Sequence, residues 1–337
     1  MSWHYGAWTA VHRLPLGLSR YPEVGQVVRA GDIIAAGTTY GVPVRVATAR
    51  RLGVAPNDLP SVLRVSVGAE VERGALLART GRRFVSAVSA PIDGRVVHIR
   101  ADGDLELAPI IDRWIVRSTL DGTVTASDDL AVTVEGAAWG LQGVAGYGPD
   151  AIGELTLVAE SASADLVPSR IDVRQRGRIL IGGARGGAEA IARAHACGAA
   201  GVIAGAVPAG GLRVVFGDDV SAQGSPSRAD TPTVLCLLGF GHAPLPSQIF
   251  APLASLAGSR AAIHTESARL FVFAPADAFQ PTLEPASLAL VADWGALRVL
   301  DGVASHAGDI EFASGVLGAA IMTADGPIPA ANVKALV

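Results

Sequence analysis

The stretch of this 337-residue chain best suited to chemistry is Ile181-Gly182-Gly183-Ala184-Arg185-Gly186-Gly187. It follows a short apolar run, Arg178–Ile181, and precedes Ala188–Cys197, whose composition is helical and which ends at Gly198. A glycine-rich link from strand to helix lets backbone N–H groups and the positive helix terminus converge on an anion. Arg185 can add a two-pronged contact to a phosphate or carboxylate. Gly182, Gly183, Arg185, Gly186 and Gly187 are therefore the candidate binding residues, with a phosphate-bearing small molecule as candidate ligand. The competing reading is a turn whose glycines let helix and sheet pack closely.

The other reactive residue types are poorly spaced for catalysis. The histidines are His4, His12, His98, His195, His242, His264 and His306. No two stand at i, i+2 or i, i+4, and there is no C-x-x-C, so no metal-ligating motif is visible; a metal site would have to assemble from distant segments. Cys197 lies two residues from His195 and so on a different helix face, while Cys236 lies in an apolar strand; both read as small buried side chains. No G-x-S-x-G elbow occurs. Asp218-Asp219 and Asp102-Gly103-Asp104 read as turn carboxylates, the latter without the remaining ligands of a calcium loop. Lys334 is the only lysine among 27 basic residues. Schiff-base, P-loop and lipoyl- or biotinyl-lysine chemistry therefore has no residue to use elsewhere. No catalytic residue, metal or cofactor is expected.

The elements that must carry these residues are announced by an internal repeat. Val24-Gly25-Gln-Val-Val28-Arg-Ala-Gly31-Asp-Ile33-Ile34-Ala35 recurs as Val67-Gly68-Ala-Glu-Val71-Glu-Arg-Gly74-Ala-Leu76-Leu77-Ala78. Such self-similarity reveals architecture and suggests a small barrel of two similar halves. Ala90-Pro91-Ile92-Asp93-Gly94-Arg95-Val96 adds an Asp-Gly turn between strand residues. The V-x-x-G-x-x-[IL]-A element followed by A-P-x-D-G-x-V resembles the barrel-sandwich hybrid fold of biotinyl and lipoyl carrier domains. Those carriers present a modified lysine on a hairpin, and none exists here. The resemblance implies a non-carrier relative over residues 21–110.

Further along, residues 1–20 read as a lead-in anchored by Trp3, Tyr5 and Trp8, and 111–165 as a β-rich connection. Within it, Gly140–Pro149 reads as a bulged loop. Residues 166–275 read as an α/β domain, because Arg178–Ile181, Ala188–Cys197 and Gly201–Ala204 form a strand–helix–strand unit with a parallel pair. Val214–Phe216 and Val234–Leu238 are further strand candidates, and a second helix is expected near Ala251–Ala257. The Gly198-Ala-Ala-Gly-Val-Ile203 pattern is similar to protease-associated domains, which are non-catalytic interaction modules. Residues 286–337, with Arg298-Val-Leu-Asp301-Gly302 and Asp325-Gly326 through Val333, resemble KOW or SH3-like small barrels. The whole order is similar to that of a group of uncharacterised bacterial multi-domain proteins.

The expected fold class is thus mixed α/β and β-rich: a barrel-sandwich hybrid, a small α/β domain and a C-terminal SH3-like barrel. Half the residues are apolar and 17% are charged, which supports sizeable cores and excludes disorder. A net charge of −4 supplies no basic field for nucleic acid, and Arg298 and Lys334 face Asp301, Asp309, Glu311 and Asp325. RNA or ribosome contact through the KOW-like end is therefore the least favoured alternative. No signal peptide, membrane span or disulfide framework is apparent, so a cytoplasmic location is expected. The leading functional expectation is a non-catalytic scaffold or adaptor docking onto protein partners. The alternative is a binding protein or enzyme for an anionic small molecule at Gly182–Gly187.

Overall fold

Glycine at a left-handed position is what makes the repeat visible, and both copies use it alike. Gly25 and Gly31 have φ of 91° and 100°, and Gly68 and Gly74 have 92° and 88°, a region open to glycine at little cost. Gly25 N–H donates to the Val124 carbonyl at 2.8 Å, as Gly68 N–H does to Val96 at 2.7 Å. Gly31 N–H donates to Ser118 at 2.8 Å, as Gly74 N–H does to Ala90 at 2.7 Å. The acceptors define a second duplicated element, since Ser118-Thr-Leu-Asp121-Gly122-Thr-Val124 occupies the place of Ala90–Val96. Asp121 accepts the Ala30 amide and Asp93 the Arg73 amide, each at 2.7 Å. The duplication is nested: residues 24–35 close on 118–124, and 67–78 close on 90–96 inside them.

The sequence reading placed both copies in one barrel, but they bury their apolar residues in separate cores. Val71, Leu77, Val88 and Val96 pack with Val46, Leu52, Leu59, Leu105 and Leu107. Val28, Ile34 and Ala35 pack instead with Leu120, Val124, Val132, Val134 and Phe271. The cause is an antiparallel ribbon of Ile33–Tyr40 and Leu105–Arg117, paired from Ile33↔Arg117 to Tyr40↔Ile110. The ribbon leads the chain away from the outer core. The strand Leu105–Arg117 also runs straight through position 110, where the sequence reading ended one domain and began the next.

This computed structural model describes residues 3–15, 19–81, 86–218, 220, 224–225 and 230–280, and five later strands by their backbone. It is mixed α/β and β-rich, with one large mixed sheet and smaller antiparallel ones. The large sheet has eleven strands. Its centre is parallel: Ala151–Leu157, Arg178–Ile181, Gly201–Val207 and Val234–Phe240 lie side by side in that order. Arg260–His264 and Arg269–Val272 continue it antiparallel to Ala131–Gln142. Trp3–Arg13, read as a lead-in, is a strand paired along nearly all of Ala131–Gln142. Trp3 is buried there, and its indole N–H reaches the Ile249 carbonyl at 3.5 Å.

Gly201–Val207 and Val234–Phe240 read as unbroken apolar runs because both of their faces are covered. Helix Ala188–Ala196 buries Ala190, Ile191 and Ala194, an i, i+1, i+4 stripe, and ends where Gly198 turns left-handed at φ 77°. Val214–Phe216, expected as a strand, instead ends the helix Ala209–Phe216. Pro208 stands at its start, and Leu212 and Phe216, four apart, share the buried face; that spacing outweighs the β-branched pair Val214-Val215. The helix expected near Ala251–Ala257 spans Ser247–Ser255. The expected loop Gly140–Pro149 is mostly extended, with Ala145–Tyr147 forming the far edge of the sheet.

Toward the C-terminus, Ser287–Leu290 pairs with Val333–Leu336, and Phe312–Gly315, Gly318–Thr323 and Gly326–Pro329 form a three-stranded sheet. Arg298–Gly302 lies outside the described residues.

Candidate functional site

The glycine turn stands at the carboxyl ends of the parallel strands, where open α/β sheets bind ligands. Much of its backbone is already committed. Gly182 N–H donates to Ile203 at 2.7 Å, Ala184 N–H to Ala164 at 2.8 Å and Gly186 N–H to Ala206 at 2.9 Å. A Cβ on Gly183 would collide with the carbonyl oxygens of Ala164 and Ser161, so this glycine serves close backbone approach. Arg185 faces a carboxylate of the chain itself: its Nη1 lies 3.6 Å from Asp165 Oδ2, and His242 Nε2 lies 3.5 Å from Asp165 Oδ1. Asp165 thus competes for the Arg185 guanidinium that would greet an anion. The five candidate residues are gathered in one place, in an arrangement that also serves packing.

The remaining sequence candidates are structural. Cys197 and Cys236 are buried free thiols, and burial pushes the Cys236 thiol far up. Cys197 faces inward while His195 is exposed on another face of the helix. Asp102 and Asp104 flank a turn and share Arg45. Asp219 lies outside the described residues.

Sequence spacing gave no hint of a second constellation at the opposite, amino-terminal edge of the parallel strands. His12 comes from the end of strand Trp3–Arg13, Asp150 immediately precedes Ala151–Leu157, and His264 ends Arg260–His264. One potential ligand atom from each lies within 4.8 Å of the others. A cavity of about 400 Å³, lined also by Arg13, Ile115, Arg117 and Thr265, opens onto them. An adjoining hollow of about 330 Å³ shares Arg117, Pro149, Asp150 and Ile152 and extends to His195 and Thr233.

The hydrogen bonds assign every proton of the pair of rings. The Val11 carbonyl can only accept, so His264 Nε2, 3.1 Å away, carries the proton, and Nδ1 accepts from the Ser267 hydroxyl at 2.7 Å. The Thr119 amide donates to His12 Nε2 at 3.3 Å, which leaves the proton on Nδ1. That nitrogen is 3.4 Å from Asp150 Oδ2 and is fully buried without a hydrogen-bond partner. Asp150 Oδ1 is held by the Thr265 amide at 2.8 Å and hydroxyl at 3.0 Å. The two rings meet edge-on, 5.2 Å apart.

Burial raises the Asp150 carboxyl, but contact with His12, the electrostatic influence of the neighbouring rings and the Thr265 amide outweigh it and hold the group below the ordinary carboxylate range. Burial pushes the His264 imidazole below its ordinary 6.5; His12 adds to this, while Asp150 and Glu266 oppose it. The folded protein therefore prefers neutral His264, and the unfolded chain takes up that proton more readily. Stability from His264 is complete above pH 6.5 and is lost as pH falls through that value toward the folded pKa. Stability from Asp150 survives down to about pH 4 and is lost below it. The thermal midpoint is thus expected to fall between about pH 7 and pH 5, and His264→Gln to flatten that fall. A wild-type midpoint that stays level over the same range contradicts the assignment.

Comparison with family models, with curated proteins and with solved structures finds no match.

Proposed function

We propose that this chain is a non-catalytic, multi-module scaffold that docks onto a protein partner in the cytoplasm. The inner core between Tyr40 and Ile110 is read as a lysine-free barrel-sandwich hybrid, residues 166–275 as the α/β body, and 286–337 as an SH3-like end. The observation that carries the reading is an apolar pair at the far end of the ribbon. Val42 is 85% exposed and Ile111 66% exposed, and the Ile111 side chain lies across Gly41, beside Val42. Tyr40, Glu70 and Arg113 form a polar rim next to it, linked through Glu70. Exposed apolar residues with a polar rim suit a protein interface. The commitment of turn amides and cysteine thiols to packing supports the same reading.

The test is native mass spectrometry of the full chain captured gently from the cells that produce it. A co-purifying protein at fixed stoichiometry, lost in the Val42→Asp/Ile111→Asp double variant, is the expected outcome. A chain that emerges alone overturns the reading.

A second reading, an anionic small-molecule binder at Gly182, Gly183, Arg185, Gly186 and Gly187, is favoured by the position of this turn at the carboxyl edge. A lone chain carrying a small anion, released by Arg185→Ala, would replace the first reading with this one. The RNA alternative predicts binding that weakens steeply with salt.

A further inference from the structure

We propose that His12, Asp150 and His264 form a binding site for one divalent first-row transition-metal ion. The proposal is independent of the docking function, because it rests on different residues.

Three observations carry it. The first is distance. Metal bonds of about 2.0–2.1 Å at tetrahedral angles separate neighbouring ligand atoms by about 3.3 Å. His12 Nδ1 and Asp150 Oδ2 stand 3.4 Å apart, matched to such an edge, and a ring nitrogen of His264 lies within 4.8 Å of a ligand atom of each. The second is a set of orphaned atoms. Among the described residues only three buried side-chain polar atoms lack a partner, and two of them, His12 Nδ1 and Thr119 Oγ1, belong to residues already in contact. Buried polar atoms left unpaired are costly, so His12 Nδ1, on a residue that lines the cavity, calls for a ligand. The third is the preset tautomer of His264. A metal-bound histidine donates its other ring N–H to a carbonyl or carboxylate, and His264 Nε2 already donates to the Val11 carbonyl, leaving Nδ1 as the nitrogen with a lone pair.

Loading the site asks for two local changes. His264 Nδ1 exchanges the Ser267 hydroxyl for the ion. The proton of His12 moves from Nδ1 to Nε2, giving up the 3.3 Å contact from the Thr119 amide. Charge is conserved within the imidazole, so no proton need leave the protein. Two imidazoles and one carboxylate suit zinc, iron(II) or manganese(II), and the cavity of about 400 Å³ leaves room for solvent to complete the coordination shell.

The experiment uses the full chain stripped with chelator and dialysed, titrated calorimetrically with Zn²⁺ and separately with Co²⁺, whose visible absorption reports ligand geometry. One ion per chain is expected, with tetrahedral-type Co²⁺ bands. Asp150→Asn keeps the Thr265 contacts and removes only the charge; it is expected to weaken binding at least tenfold. His12→Gln is expected to weaken it further and to abolish the Co²⁺ bands. Circular dichroism of each variant separates lost binding from lost folding. No retained ion in folded wild type, or equal binding in wild type, Asp150→Asn and His12→Gln, overturns the proposal.

Discussion

Gly122→Ala is expected to destabilise the protein by about 3 kcal/mol or more, read as a lowered midpoint of urea unfolding. A Cβ at this position would overlap the Glu135 carbonyl oxygen and stand 3.0 Å from the Gly136 Cα. A Cβ on Gly136 would in turn overlap the Asp121 carbonyl oxygen, so the two strands touch backbone to backbone. No flexible side chain stands in the way to rotate aside; the strand pair itself must separate. The adjacent Asp121 would move with it, and Asp121 holds both the Ala30 amide and Arg260 of the large sheet. Gly74→Ala provides the contrast. Its surroundings are open, so only the positive φ of 88° is strained, at a cost of about 1–2 kcal/mol. Equal losses in the two variants would show that backbone contact at Gly122 is not what the position requires.

Trp139→Ala is expected to cost about 3–5 kcal/mol. The indole is 2% exposed, stacks on Phe279 with centroids 4.1 Å apart, and meets Tyr5 edge-on. Its N–H donates to the Pro275 carbonyl at 2.9 Å. The ring thus joins strand Trp3–Arg13, strand Ala131–Gln142 and the segment beyond Val272. In a chain whose aromatic content is only 5%, few other rings could fill the space. Equilibrium unfolding of the variant gives the number directly; a loss below about 1 kcal/mol would mean that the site collapses around the missing ring.

The repeat was legible because a left-handed glycine leaves a mark that no other residue replaces, twice over at fixed spacing. Its partner element was present in the sequence but fainter: Ser118–Val124 shares with Ala90–Val96 only Asp-Gly, the final valine and a small first residue. Without that second match, two copies look like two halves of one barrel. The parallel strand–helix–strand unit was readable because Ala190, Ile191 and Ala194 follow the helical period between apolar runs. Val214-Val215-Phe216 misled because branched and aromatic residues favour strands, whereas here the turn after Pro208 and the Leu212–Phe216 spacing decide the matter. The His12, Asp150 and His264 cluster left no trace at all. Each residue stands at the end of a different strand, and only the sheet order, which depends on long-range pairing, brings those ends together.

The ribbon has a consequence for how the chain can be cut and rejoined. Tyr40 and Ile110 are cross-strand partners, and the Gly41 amide donates to the Pro109 carbonyl at 2.8 Å, so the backbone leaves and returns at almost the same point. All of the inner core, from Val46 to Leu107, lies between those two residues. Topologically, this stretch is a guest inserted into a hairpin loop of its host, with entry and exit adjacent, which is the arrangement that tolerates domain insertion and circular permutation. The guest can be removed and a short turn set between Tyr40 and Ile110 without opening the host sheet. It can equally be given new ends of its own by joining residues 41 and 109.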